Sequence, residues 1–102
     1  MAINTGDTST AAIGQRVRWT REAHGLSNAD FARRCGLSPQ SITNYETGVS
    51  RPNIDAMYAM ARGADASFDW IYQGMDGLLP GYLRDRIHEI RRAEQSSRKN
   101  SA

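Results

Sequence analysis

The stretch "LSPQSITNYETG", Leu37 to Gly48, decides how the chain folds. Its proline either interrupts a helix or begins one. Ser38 carries the side-chain oxygen of a good N-cap, and Pro39 then takes the first helical position, where its missing N–H is no loss and its fixed φ suits the turn. The proline therefore begins a helix, expected over residues 39–47, with Ile42 and Tyr45 inward and Gly48 as the stop. Gln40, Thr43 and Asn44 fall together on the outward face, a surface of uncharged amides and hydroxyls.

Upstream, Ser27 caps a short second helix in which Asp30 is a capping-box-like partner and Phe31, Ala32 and Cys35 face inward; Gly36 closes it. The turn from Cys35 to Ser38 is so short that the two helices must cross steeply. Before them, Ile13 to Ala23 reads as a first helix with Ile13, Val17 and Thr20 on one stripe, ended by His24-Gly25. Arg16, Arg18, Arg33 and Arg34 are expected to be solvated. Downstream, Val49 to Asn53 is a loop, and a fourth helix over 53–64 repeats Ile54, Met57, Met60 and Ala61 at helical spacing. Ser67 caps a fifth through Tyr72, where Phe68, Trp70 and Ile71 add apolar mass.

The ends are sparser. Residues 1–12 are rich in Thr, Ser, Gly and Ala and are expected to form a flexible tail. Residues 75–81 read as a linker. Residues 82–94 resume helical periodicity through Leu83, Ile87 and Ile90, a narrow stripe that suits either a dimer interface or packing on the same subunit; 95–102 is polar and expected to fray. The expectation is an all-α fold with one compact five-helix domain over 13–74 and an additional C-terminal helix.

Composition narrows the function. A chain of 102 residues is one domain's worth, too small for separate catalytic and regulatory units. Its longest apolar run is a few residues, so neither a membrane span nor a signal-peptide core is expected and a cytoplasmic location is. The net charge of +2 is uneven: residues 13–80 hold seven arginines and seven acids, while 81–102 hold six basic and three acidic residues. A neutral domain still binds DNA if its arginines share one face. Cys35 is the single cysteine and reads as a core thiol. His24 and His88 lie in different elements, with no zinc-like spacing. No phosphate-binding glycine loop, catalytic dyad or carboxylate pair stands out, so no enzyme, metal or cofactor is expected.

Three segments, "GQRVRWTREAHGLSNADFARRCGLSPQSITNYETG", "RPNIDAMYAMA" and "SFDWIYQG", follow one another in an order and spacing that resembles the helix-turn-helix family of phage repressors and Cro-type regulators, the XRE-like family. The resemblance implies a lambda-repressor-like domain whose second helix crosses the DNA backbone and whose third enters the major groove. It places Gln40, Thr43 and Asn44 as base readers, with Pro39 limited to apolar contact with a thymine methyl. Asn28, Ser41 and Arg51 become candidates for phosphate contact, and Arg21 with Glu46 a structural salt bridge between the first and third helices. The function implied is sequence-specific binding of double-stranded DNA by a bacterial or phage-encoded transcriptional regulator, a prophage-like repressor acting as a homodimer on a palindromic operator. The alternative is a protein-interaction or antitoxin-like module, with a protein partner, that keeps the fold with weak or lost DNA specificity.

Overall fold

The computed structural model describes residues 6–100. Six helices follow in order: α1 Thr10–Ala23, α2 Asn28–Cys35, α3 Pro39–Glu46, α4 Ile54–Ala64, α5 Phe68–Gln73 and α6 Gly81–Asn100. Five of them start on a side-chain cap, where Ser9, Ser27, Ser38, Asn53 and Ser67 each accept a hydrogen bond from a first-turn N–H. Each such cap satisfies one orphan donor and contributes about 1 kcal/mol. Gly36, at φ 73°, ends α2, and the Leu37 N–H returns to the Ala32 carbonyl at 2.8 Å. That left-handed stop turns the chain into Ser38 within three residues and sets α3 across α2.

Helix α1 is the centre of the molecule, packed on α3, α5 and α6. Ile13 and Val17 are fully buried beside Phe31, Ile42, Met57, Met60, Ile71, Leu83 and Ile87. Two glycines set how closely helices approach. A Cβ on Gly14 would stand 2.2 Å from the Tyr45 carbonyl oxygen and 3.0 Å from that of Glu46, and one on Gly63 would stand 2.8 Å from the Arg34 carbonyl oxygen. So α1 rests directly on the C-terminal backbone of α3, and α4 on that of α2.

Several expectations are corrected. Helix α1 begins three residues before Ile13, because Ser9 caps it. Residues 6–9 of the expected tail lie against α5: the Gly6 N–H donates to the Gln73 carbonyl at 2.7 Å, and the Asp7 carbonyl accepts from Arg16. Residues 1–5 of that tail, like 101–102 of the C-terminal one, lie outside the described residues. Arg16 is buried rather than solvated. It reaches under the core to donate to the Ile71 carbonyl at 3.1 Å, and burial pushes its pKa down, with Asp7 opposing. Ile54, one of the apolar residues at helical spacing in α4, and Phe68, part of the apolar mass of α5, are 66% and 36% exposed.

The largest correction concerns α6, which runs to Asn100 rather than Glu94. Leu83 and Ile87 are 0% and 1% exposed within their own subunit, and Ile90 packs against the same core. The stripe is thus covered within its own subunit, the second of the two placements expected for it; burying two such side chains contributes about 3–6 kcal/mol. Polar contacts hold the far end. Glu94 accepts from Arg18 at 2.9 and 3.2 Å and from the Trp19 indole at 3.0 Å, while the Arg91 guanidinium lies 4.8 Å above the Trp19 ring. Tyr82 donates to the carboxylate of Asp65, covering the small-residue corner where Ala64 and Ala66 are buried. Leu79 of the expected linker is buried as well.

The Gly14 contact is testable. Gly14→Ala is expected to destabilise the protein by about 1–3 kcal/mol, because a backbone carbonyl cannot rotate away from the new methyl as a side chain would. Thermal unfolding reads this as a fall of about 4–8 °C in Tm per kcal/mol. Gly81→Ala, whose nearest neighbour is 4.0 Å away, is expected to leave Tm unchanged or raise it.

Candidate nucleic-acid interface

Helix α3 divides its side chains sharply. Ile42 and Tyr45 are 0% and 8% exposed, while Pro39, Gln40 and Thr43 are exposed and Ser41 and Asn44 half-buried. The four-residue spacing of Gln40 and Asn44 puts them one above the other on the helix, and the Gln40 Nε2–H donates to Asn44 Oδ1 at 2.9 Å. Thr43 lies beside them on the edge toward α2: the Asn28 Nδ2–H donates to its Oγ1 at 3.0 Å. The Asn28 Oδ1 is buried without a hydrogen-bond partner among the described residues. The expected phosphate-binding amide is therefore tied to the outer face of α3.

The ends of α3 are held by their own turns. The Ser38 hydroxyl accepts the Ser41 N–H at 3.0 Å and donates to the Ser41 hydroxyl at 2.9 Å. Burial pushes the pKa of the Tyr45 phenol up, with Ser41 opposing. At the other end the N–H groups of Val49 and Ser50 both converge on the Asn44 carbonyl, at 2.9 and 3.2 Å. The loop beyond is exposed at Val49 and Arg51, and Arg51 makes no ion pair with another described residue. At the start of α2, the Ser27 hydroxyl accepts the Asp30 N–H at 3.2 Å. The Asp30 carboxylate turns to Arg33 at 2.7 Å, and that bond, with one to Ser27, holds its pKa below the usual range.

Arg21 and Glu46 meet as a two-pronged pair. Arg21 Nε and Nη2 donate to Glu46 Oε2 and Oε1 at 2.7 and 3.1 Å, and Nη1 donates to the Leu26 carbonyl at 3.0 Å. Their side chains are 18% and 12% exposed. One guanidinium therefore joins α1, the turn into α2 and the last turn of α3. Bonding to Glu46 pushes the Arg21 pKa up, against the effect of burial. The Cys35 thiol is buried and its pKa raised by that burial, as suits an inert core residue.

Two features of this site carry no pattern that sequence reading had caught. Gly14 sits within a helical stripe where a glycine is neither stop nor turn, and that misplacement was the available signal. The Asn28–Thr43 bond joins residues fifteen apart and leaves no local trace.

Known proteins resemble this chain over the helices that carry the site. A helix-turn-helix family model matches residues 17–71, from the middle of α1 into α5. The chain is 35% identical over 77 residues to a transcriptional regulator in the ATPase CF(0) region of Rhodospirillum rubrum, covering 69% of this chain and 71% of that protein. It is 32% identical over 76 residues to the HTH-type transcriptional regulator YobD of Bacillus subtilis, covering 74% and 68%. An HTH-type transcriptional regulator of Rickettsia prowazekii is 27% identical over 64 residues, covering 63% of this chain and 49% of that protein. No solved structure matches the chain.

Removing Arg21 strands a half-buried Glu46 and frees the Leu26 carbonyl. Arg21→Ala is expected to cost about 2–4 kcal/mol, between the values for exposed and buried pairs. Urea unfolding should show this, together with a coupling of about 1 kcal/mol or more in a cycle with Glu46→Ala. Additive losses would mean that the pair contributes nothing as a pair.

Proposed function

The chain belongs to the helix-turn-helix family, and from that premise we propose that it is a sequence-specific regulator that reads the major groove with α3. The observation that carries the proposal is the outward, uncharged polar face of exposed Gln40 and Thr43 and half-buried Asn44 on a helix anchored from behind by Ile42, Tyr45 and Glu46. Amides and hydroxyls match the donor and acceptor pattern of base edges, whereas phosphate contact needs no such match. Pro39, exposed at the first turn, offers apolar contact to a thymine methyl. Arg51 in the following loop, Ser41, and Asn28 at the start of α2 flank this face and are the proposed phosphate contacts, helped by the free N–H groups of the α2 N-terminus.

The regulator we propose is a repressor that excludes transcription by occupying a promoter. One eight-residue reading helix spans few base pairs, so two copies on a palindromic operator give the affinity and selectivity one copy lacks. Such pairing does not use the α6 stripe, since Leu83 and Ile87 are buried. No described helix is long and apolar enough to cross a membrane, which agrees with action on DNA in the cytoplasm.

A second reading has its own observation. Ile54, Tyr58 and Phe68 are 66%, 53% and 36% exposed, with the Tyr58 and Phe68 rings edge to face at 5.3 Å. An apolar group of this kind suits a protein partner, as a protein-interaction or antitoxin-like module would need.

Selection from a random duplex pool at two salt concentrations separates the readings. The expected result is a discrete, two-fold motif bound by two chains. Gln40→Ala should change the bases preferred, and Arg51→Ala should weaken all sites alike and lower the salt dependence by about one counterion's worth. No enrichment at the lower salt would overturn the regulator reading in favour of the interaction module.

A further inference from the structure

The bond between Gln40 and Asn44 has a direction, and the direction carries information. Gln40 Nε2 is the donor and Asn44 Oδ1 the acceptor, at 2.9 Å. An amide side chain has one acceptor oxygen and two N–H donors. After this bond, Gln40 retains its Oε1 acceptor and a single N–H. In the major groove adenine shows one acceptor, N7, beside one donor, N6–H, and is the complement of that remainder. Guanine shows two acceptors, O6 and N7, so Oε1 would face one of them acceptor to acceptor.

A glutamine on its own discriminates less well, because its terminal torsion is broad and nearly two-fold, and half a turn exchanges oxygen for nitrogen. The bond to Asn44 couples the two amides: with Asn44 Oδ1 as the acceptor, Gln40 keeps the orientation that suits adenine. Asn44 is also the better anchored of the two. It is half-buried where Gln40 is exposed, and its backbone is held by the bonds from the Val49 and Ser50 N–H groups to its main-chain carbonyl. Thr43 does not take part, since its hydroxyl is engaged by Asn28 on α2.

We propose that Asn44 is a positioning residue that fixes the amide of Gln40 in one orientation, so that the pair selects adenine over guanine at the base Gln40 meets. This rests on α3 being the helix that reads the major groove. Thr43 and Asn28 form a separate unit, and changes there act at a different base.

The test is selection from a random duplex pool with the wild-type chain and the variants Gln40→Ala, Asn44→Ala, Asn44→Asp and Thr43→Val, each checked for folding by its thermal melt. Gln40→Ala identifies the base step concerned. At that step Asn44→Ala is expected to reduce the preference for adenine over guanine by about tenfold, within the range of one bidentate contact. In Asn44→Asp the carboxylate can accept from Gln40 but cannot donate, so the adenine preference should persist while all sites bind more weakly through the added negative charge. Thr43→Val should leave that step unchanged. A motif in which Asn44→Ala keeps the full adenine preference, or in which Asn44→Asp loses it as Asn44→Ala does, would overturn this proposal and leave the DNA-reading premise standing. A wild type that enriches no sequence would instead overturn the premise, and the proposal with it.

Discussion

The contact on which the rest depends is that of α1 against the last turn of α3. It is made by the missing side chain of Gly14, which lets α1 rest on the Tyr45 and Glu46 carbonyls, and by the Arg21–Glu46 pair one to two turns further along α1. A short helix such as α3 is not stable alone in water. Its orientation is borrowed from the surfaces it rests on, and α1 supplies the largest of them. Tyr45 and Ile42 then have one seat each, and the amide face on the opposite side is presented in a single register. A side chain at Gly14 would change where the outer face points without touching any residue on it.

A second layer holds α1 itself. On one side the strap of residues 6–9 and the buried Arg16 tie it to α5. Trp70 stacks on Trp19 at 6.3 Å and donates to the buried Thr20 hydroxyl at 2.9 Å, so the polar atoms of that corner are used. On the other side α6 lies along α1, and charges alternate from Glu94 to Arg18, Glu22, Arg21 and Glu46. The chain of charges runs from the C-terminal helix across α1 to the end of α3. Its outer members are a third exposed and each such pair is worth about 1 kcal/mol or less. Leu83 and Ile87 therefore do most of the work of docking α6, and the charges set its register.

The helices were legible because their punctuation is local. Ser27, Ser38-Pro39, Gly36 and Ser67 act within a turn of where they stand, and the inward residues Ile42, Tyr45, Phe31, Met57 and Trp70 recur at helical spacing. What was not legible depends on distance. The cap at Ser9 was hidden in a run of small polar residues that also fits a loose tail. Arg16 looked like its arginine neighbours because only the fold shows that it passes beneath Ile71. The stripe of Leu83, Ile87 and Ile90 was plain, but a stripe does not name what covers it. The outward amide face was legible as a surface; the pairing of Gln40 with Asn44 and of Thr43 with Asn28 required the helices to be placed.

The DNA-reading account has one direct physical test, the footprint of DNA on the protein. The isotope-labelled chain is titrated with duplex DNA at low salt while its backbone amide resonances are followed. The account predicts that the largest changes fall on the start of α2 at Asn28, on Ser38 to Asn44, and on Val49 to Arg51, with Tyr82 to Gln95 unmoved. Changes concentrated on Ile54, Tyr58 and Phe68, with α3 silent, would contradict it.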